Sequence, residues 1–102
     1  MAHQLMPLDL LKRVAERFKL LGEPARLELL NLLTSKGETA VQDLVDATGY
    51  SQPNVSKHLM LMAHAGILNR RKEGLQVYYS ISYPSISGLC LLVCSQLKEE
   101  PG

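Results

Sequence analysis

The two cysteines of this chain, Cys90 and Cys94, stand four residues apart near its C-terminal end. On a helix that spacing aims both thiols the same way, one turn apart. Two thiolates so placed can clasp a thiophilic ion such as arsenite, antimonite or a soft heavy metal. A second group of residues suits different chemistry. Ser51, Gln52, Asn54, Ser56, Lys57 and His58 crowd one short stretch, and Arg70-Arg71-Lys72 begin twelve residues after it. Amides and hydroxyls present donors and acceptors to base edges, whereas cations and helix N-termini hold phosphate. Both groups therefore point to recognition rather than bond-breaking.

Catalytic constellations are missing. The sequence has no nucleophile and base at a recognisable spacing, no glycine-rich phosphate loop and no metal-ligand cluster, so an enzyme is not expected. His3 and His64 are isolated, which is poor support for a metal. His58 sits at the edge of an apolar stripe, where imidazole can bond a backbone group or a phosphate, so structural and DNA-contact roles both stand. The cysteines also keep two readings. They can pack as small hydrophobes at an interface, or they can bind an inducer. A disulfide between Cys90 and Cys94 is awkward, because their side-chain vectors run nearly parallel. Trigonal arsenic wants a third thiolate, which the chain does not have.

These residues need elements to hold them. Pro7 to Leu21 reads as a first helix, with Leu8, Leu11, Val14, Ala15, Phe18 and Leu21 as its apolar stripe. Glu23-Pro24 opens a second helix through Leu33, with Leu27, Leu30 and Leu33 facing in and Leu29 and Leu32 broadening the face. Thr39 followed by Gln42 has the form of a capping box for a third helix ending at Gly49. Ser51 then caps a fourth helix that buries Val55, Leu59 and Met62 and stops at Gly66. So short a turn forces the third and fourth helices to cross steeply, the helix-turn-helix geometry. Ile67 to Lys72 and Leu75 to Ile81 read as two strands around Glu73-Gly74. A last helix runs from Pro84 to about Lys98, with Ile86, Leu89, Cys90, Val93 and Leu97 as its apolar stripe.

The expected fold is mainly α with a small β-hairpin, in the order α-α-α-α-β-β-α: a winged helix-turn-helix. With 102 residues the chain has room for one domain, 1–102. The helix-turn-helix takes about 39–66, the wing about 67–81, and the flanking helices about 7–21 and 84–98. A chain this short gains stability from pairing with a second copy. Hydrophobic residues make up 46% of it, which argues against disorder. A net charge of only +1 offers no general affinity for nucleic acid, so the charges must be segregated, as in Arg70-Arg71-Lys72 against Lys98-Glu99-Glu100. No apolar run approaches a membrane span. Met1 to Leu21 is amphipathic and carries Asp9 and Glu16, unlike a signal peptide, so a reducing cytoplasm is expected.

From Phe18 to Tyr79 the chain closely resembles the ArsR/SmtB family of bacterial winged-helix repressors. The marks are Leu20-Leu21-Gly22-Glu23-Pro24-Ala25-Arg26-Leu27 with Leu30, then Ser56-Lys57-His58-Leu59, then Arg70-Arg71 through Tyr78-Tyr79. The resemblance implies a homodimer paired through its first and last helices. It also implies binding to an inverted-repeat DNA operator and release by an inducer. The family's thiol site has the pattern Glu-Leu-Cys-Val-Cys-Asp-Leu; here that stretch is Glu38-Thr39-Ala40-Val41-Gln42-Asp43-Leu44, without cysteine. Its zinc-like site uses Asp, His and Glu on the last helix, where this chain offers Tyr83, Ser85, Gln96 and Glu99, no ligand set for zinc. The family's wing reads Arg-x-Gly-Arg; here Arg71-Lys72-Glu73-Gly74-Leu75 has one cation fewer. The reading that results is a DNA-binding repressor with no required cofactor, contacting DNA through Ser51, Gln52, Asn54, Ser56, Lys57, His58 and Arg70-Arg71-Lys72. Cys90 and Cys94 are its candidate inducer site. The alternatives are a repressor of the same kind without a thiol sensor, or a winged-helix protein-interaction module without specific DNA binding.

Overall fold

Residues 5–101 are described in a computed structural model, so His3 lies outside the described residues. Five helices and three short strands follow in the order α1 (Leu8–Leu21), α2 (Pro24–Lys36), β1 (Thr39–Ala40), α3 (Val41–Thr48), α4 (Gln52–His64), β2 (Leu68–Glu73), β3 (Gln76–Ile81) and α5 (Pro84–Glu99). This is the winged helix-turn-helix expected from the sequence, with one strand more.

The extra strand corrects the third helix's expected start. Thr39 and Ala40 pair with Tyr79 and Tyr78, so the sheet has the order β1-β3-β2 and is antiparallel throughout. Thr39 does not cap α3. Its hydroxyl donates to the Gly37 carbonyl at 2.8 Å, and the Gln42 amide donates forward to Asp46 Oδ1 at 3.0 Å. A buried Thr with backbone needed by a sheet neighbour gains more from the ladder than from a cap. The wing's tip is Gly74-Leu75, one residue later than expected, with Gly74 at φ 60°.

The core forms where α2, α3 and α4 meet the sheet. Leu29, Leu30 and Leu33 of α2, Leu44 of α3, and Val55, Leu59 and Met62 of α4 are buried, together with Ile67, Leu68 and Tyr79. Leu29, not Leu27, is the fully buried leucine of α2; Leu27 is 40% exposed, because it turns toward the groove beside α5. Two turns give the helix-turn-helix its shape. Gly49 lies in the left-handed region at φ 77°, which lets the chain reverse between α3 and α4 within three residues. Ser51 then caps α4, its Oγ accepting from the Asn54 amide at 3.3 Å.

The apolar stripes of the two flanking helices are not covered by their own subunit. Leu8, Leu11 and Phe18 of α1, and Leu91, Leu92, Val93 and Leu97 of α5, are exposed. Of α1's expected stripe only Leu21 is buried, and of α5's only Ile86.

Candidate nucleic-acid interface

Helix α4 offers one polar edge. Gln52, Ser56 and Met60 follow at four-residue spacing and line a groove of about 290 Å³ whose far wall is Arg70, Leu75 and Val77 of the wing. The Gln52 Nε2 donates to Ser56 Oγ at 3.1 Å, which orients the amide and leaves its Oε1 available to accept. Lys57 is exposed on the next face, while Asn54 and Ser56 are half-buried. A helix of 13 residues spans about 20 Å and fits a major groove about 12 Å wide. In this class of docking the N-terminal half of such a helix is the part that faces base edges, and here that half carries Gln52 and Ser56.

His58 does not belong to this edge. It is buried, and its Nδ1 accepts from Arg26 Nε at 3.1 Å. Arg26 also donates from Nη1 to the Leu20 carbonyl at 3.1 Å, so one guanidinium ties the end of α1 and the body of α2 to the reading helix. Burial, then the nearby charges of Arg26 and Lys57, lower the His58 pKa from its ordinary 6.5, with Glu23 pulling the other way. His58 is therefore a neutral acceptor inside the fold, which favours the structural one of its two expected roles.

The three wing cations also divide. Arg70 and Lys72 point to one face of β2 and Arg71 to the other, as a pleated strand requires. Arg70 lines the groove beside Gln52. Arg71 is taken up within the protein: its Nη2 donates to Glu38 at 2.8 Å and its Nη1 to Glu73 at 2.6 Å. The hydrogen bond from Arg71, above all, holds the Glu38 carboxyl below its ordinary range.

Sequence reasoning missed several residues that position this interface. Tyr50, in the turn before α4, donates its hydroxyl to Glu28 at 2.6 Å, and that bond chiefly raises the phenol's pKa. Arg17 of α1 donates to the Ala65 carbonyl at the end of α4 at 2.8 Å. Arg26, Glu28 and Glu38 lie 22 to 33 residues from their partners, and no local pattern announces such pairs.

Cys90 and Cys94 lie elsewhere. Cys90 is half-buried and Cys94 exposed, and both are free thiols. They open into one largely apolar groove of about 850 Å³ between α5 and the ends of α1 and α2, with Leu21, Leu30 and Asn31 among its walls. Among the described residues no group of three or more His, Cys, Asp or Glu side chains could hold a metal ion. At the positions of the family's third-helix thiol site stand Ala40, a strand residue, and Gln42, whose amide bonds Asp46. No helix among the described residues is long and apolar enough to cross a membrane.

A polar-edged helix after a tight turn, set beside a basic hairpin, defines a winged-helix DNA-binding protein. Residues 23–70 match the bacterial regulatory proteins of the arsR family. The chain is 37% identical to an uncharacterized helix-turn-helix transcriptional regulator of Methanocaldococcus jannaschii, over 80% of this chain and 92% of that protein. It is 30% identical to the arsenical resistance operon repressor of Bacillus subtilis, over 79% of this chain and 77% of the repressor. Its fold superimposes with a TM-score of 0.82 on the solution structure of a homodimeric winged helix-turn-helix DNA-binding domain from Mycobacterium bovis, at 33% identity, covering 100% of this chain and 94% of that one. The chain belongs to the ArsR family. It is a DNA-binding transcriptional regulator, not an enzyme.

Proposed function

We propose that this protein is a cytoplasmic repressor that binds an inverted-repeat operator as a homodimer and is released by a thiophilic inducer at Cys90 and Cys94. The observation that carries the inducer reading is the shared groove: both thiols open into it, and its wall includes α2, the helix that holds the reading helix through Arg26. The exposed apolar stripes of α1 and α5 supply the surface for a second copy. The homodimeric M. bovis domain and the B. subtilis arsenical resistance repressor support the two halves of the reading.

The mechanism follows from where the groove lies. Each thiol that ligates arsenite or antimonite displaces one of its hydroxides, which leaves as water with the thiol proton, so α5 is drawn into one arrangement. A shift of α5 against α2 moves the end of α1 and, through Arg26, the reading helix. Half-sites stand about 34 Å apart, so a small rotation misaligns both reading helices at once. A coupling of about 1–3 kcal/mol weakens binding by about 5- to 150-fold.

The half-buried setting of Cys90 favours a second reading, in which both thiols only pack. Fluorescence anisotropy with DNA upstream of the protein's own gene separates the two. Titration with arsenite or antimonite should release the wild type and leave the Cys90→Ser/Cys94→Ser variant bound. Equal release of both proteins, or release of neither, assigns the cysteines to packing.

A further inference from the structure

In the sequence Arg70 and Arg71 form one basic patch, and the strand splits it. Arg71 sits directly opposite Tyr78 on β3, and Tyr78 sits opposite Ala40 on β1. Glu38 comes two residues before Ala40 and so continues the same face. Arg71 crosses that row. Its guanidinium carbon lies 4.5 Å from the Tyr78 ring centre, and beyond the ring its Nε and Nη2 reach both oxygens of Glu38 at 2.8 to 3.3 Å. Its remaining edge donates to Glu73 on its own strand at 2.6 Å.

Two consequences follow. The guanidinium faces two carboxylates, so this cluster presents no net positive charge to a phosphate. The contact also spans all three strands, and β1 runs straight into α3. The hairpin is thereby tied to the first helix of the helix-turn-helix by something other than backbone bonds. Across the sheet the opposite face carries Arg70 and Lys72, neither with an ion-pair partner among the described residues. At the tip beyond them stands Leu75, fully exposed, where the family's wing has a cation.

We propose that Arg71 is a positioning residue of the wing: with Glu38, Glu73 and Tyr78 it sets the hairpin's angle to the reading helix without touching DNA, and Arg70 and Lys72 make the wing's phosphate contacts. This rests on the DNA-binding reading. A fork that binds a carboxylate on two edges and stacks on a ring cannot be replaced by lysine, which is a single compact charge.

The experiment compares Arg70→Gln, Arg71→Gln and Glu38→Gln in two measurements. The first is operator affinity against salt concentration. Arg70→Gln should lower the slope of log K against log salt by about one, the signature of a lost phosphate contact. Arg71→Gln and Glu38→Gln should keep the wild-type slope and bind about three- to tenfold more weakly, as a misplaced wing would. A slope reduced by about one in Arg71→Gln overturns the proposal, as does tighter binding by Glu38→Gln, because freeing Arg71 would then supply a phosphate contact. The second is amide hydrogen exchange of the free protein. Arg71→Gln and Glu38→Gln should speed exchange across the β1–β3 pairing while Arg70→Gln leaves it unchanged; unaltered exchange in the first two overturns the proposal without reference to DNA. If the wild type shows no salt-dependent DNA affinity, the DNA-binding reading fails while the exchange result still decides the brace.

Discussion

Acid should loosen the link between α2 and the reading helix, and His58 should be the group responsible. Its Nδ1 accepts from Arg26 Nε at 3.1 Å, which requires an unprotonated nitrogen. Burial is the first cause of its lowered pKa, with the Arg26 and Lys57 charges adding to it. The folded state therefore takes up this proton less readily than the unfolded chain. The resulting stability is fully present above the unfolded pKa, about 6.5, and is lost as the pH falls from there toward the lower folded pKa. A single proton limits the slope to about 1.4 kcal/mol per pH unit. Over one unit that is a tenfold change in the folding equilibrium, a sizeable share of the stability of a small domain.

Urea unfolding of the wild type and of His58→Asn, between about pH 5.5 and 8, isolates this group. The Asn Oδ1 can accept from Arg26 in place of Nδ1 and does not titrate. The carboxylates and His64 are common to both proteins and cancel in the difference. The difference should stay flat above about pH 6.5 and fall below it, with the wild type losing up to about 1.4 kcal/mol per unit relative to the variant. Parallel curves across the range, or a wild type that gains on the variant in acid, would refute the assignment of His58 as a neutral acceptor.

Leu59→Ala, at a side chain with no exposed surface in the centre of α4, should cost about 2–5 kcal/mol of unfolding free energy in the same denaturant assay. Ser51→Ala removes the oxygen that accepts from Asn54 and should cost about 1 kcal/mol, read as a lower thermal midpoint and weaker operator binding together. Phe18→Glu places a charge in the uncovered apolar stripe of α1, where the side chain is 55% exposed. It should shift the protein to monomer in sedimentation analysis without lowering its helix content, and a dimer as tight as the wild type's would remove α1 from the interface.

Most of the element order was legible because its signals are local. The i, i+4, i+7 burial of Val55, Leu59 and Met62 needs only the helical period, and all three are buried as that period demands. Ser51 as cap, and glycines past the ends of α3 and α4, need only the conformations those residue types favour. Strand β1 was hidden because two residues carry no periodicity, and Thr39 followed by Gln42 has the form of a cap whether or not a sheet neighbour competes for it. Leu27 and Leu29 are the same residue type in one helix whose leucines spread over most of its circumference, so only the packing of α2 between α4, α5 and the sheet decides which is buried.

For the interface, the sequence by itself determined which residue types were present and which face of each element they share. Gln52, Ser56 and Lys57 are on the outer surface of α4 because its inner surface is taken by leucine, valine and methionine. Tertiary structure decided which charged and polar groups remain available. Arg71 was indistinguishable in the sequence from Arg70, and His58 at the edge of its apolar stripe kept two roles, since their partners Glu38 and Arg26 are 33 and 32 residues away and meet them only when three strands and two helices are assembled. The same assembly makes one groove of residues from α1, α2 and α5 around Cys90 and Cys94. Hydrogen bonds and ion pairs are short-ranged, so which ones form depends on the distances the fold creates rather than on spacing along the chain.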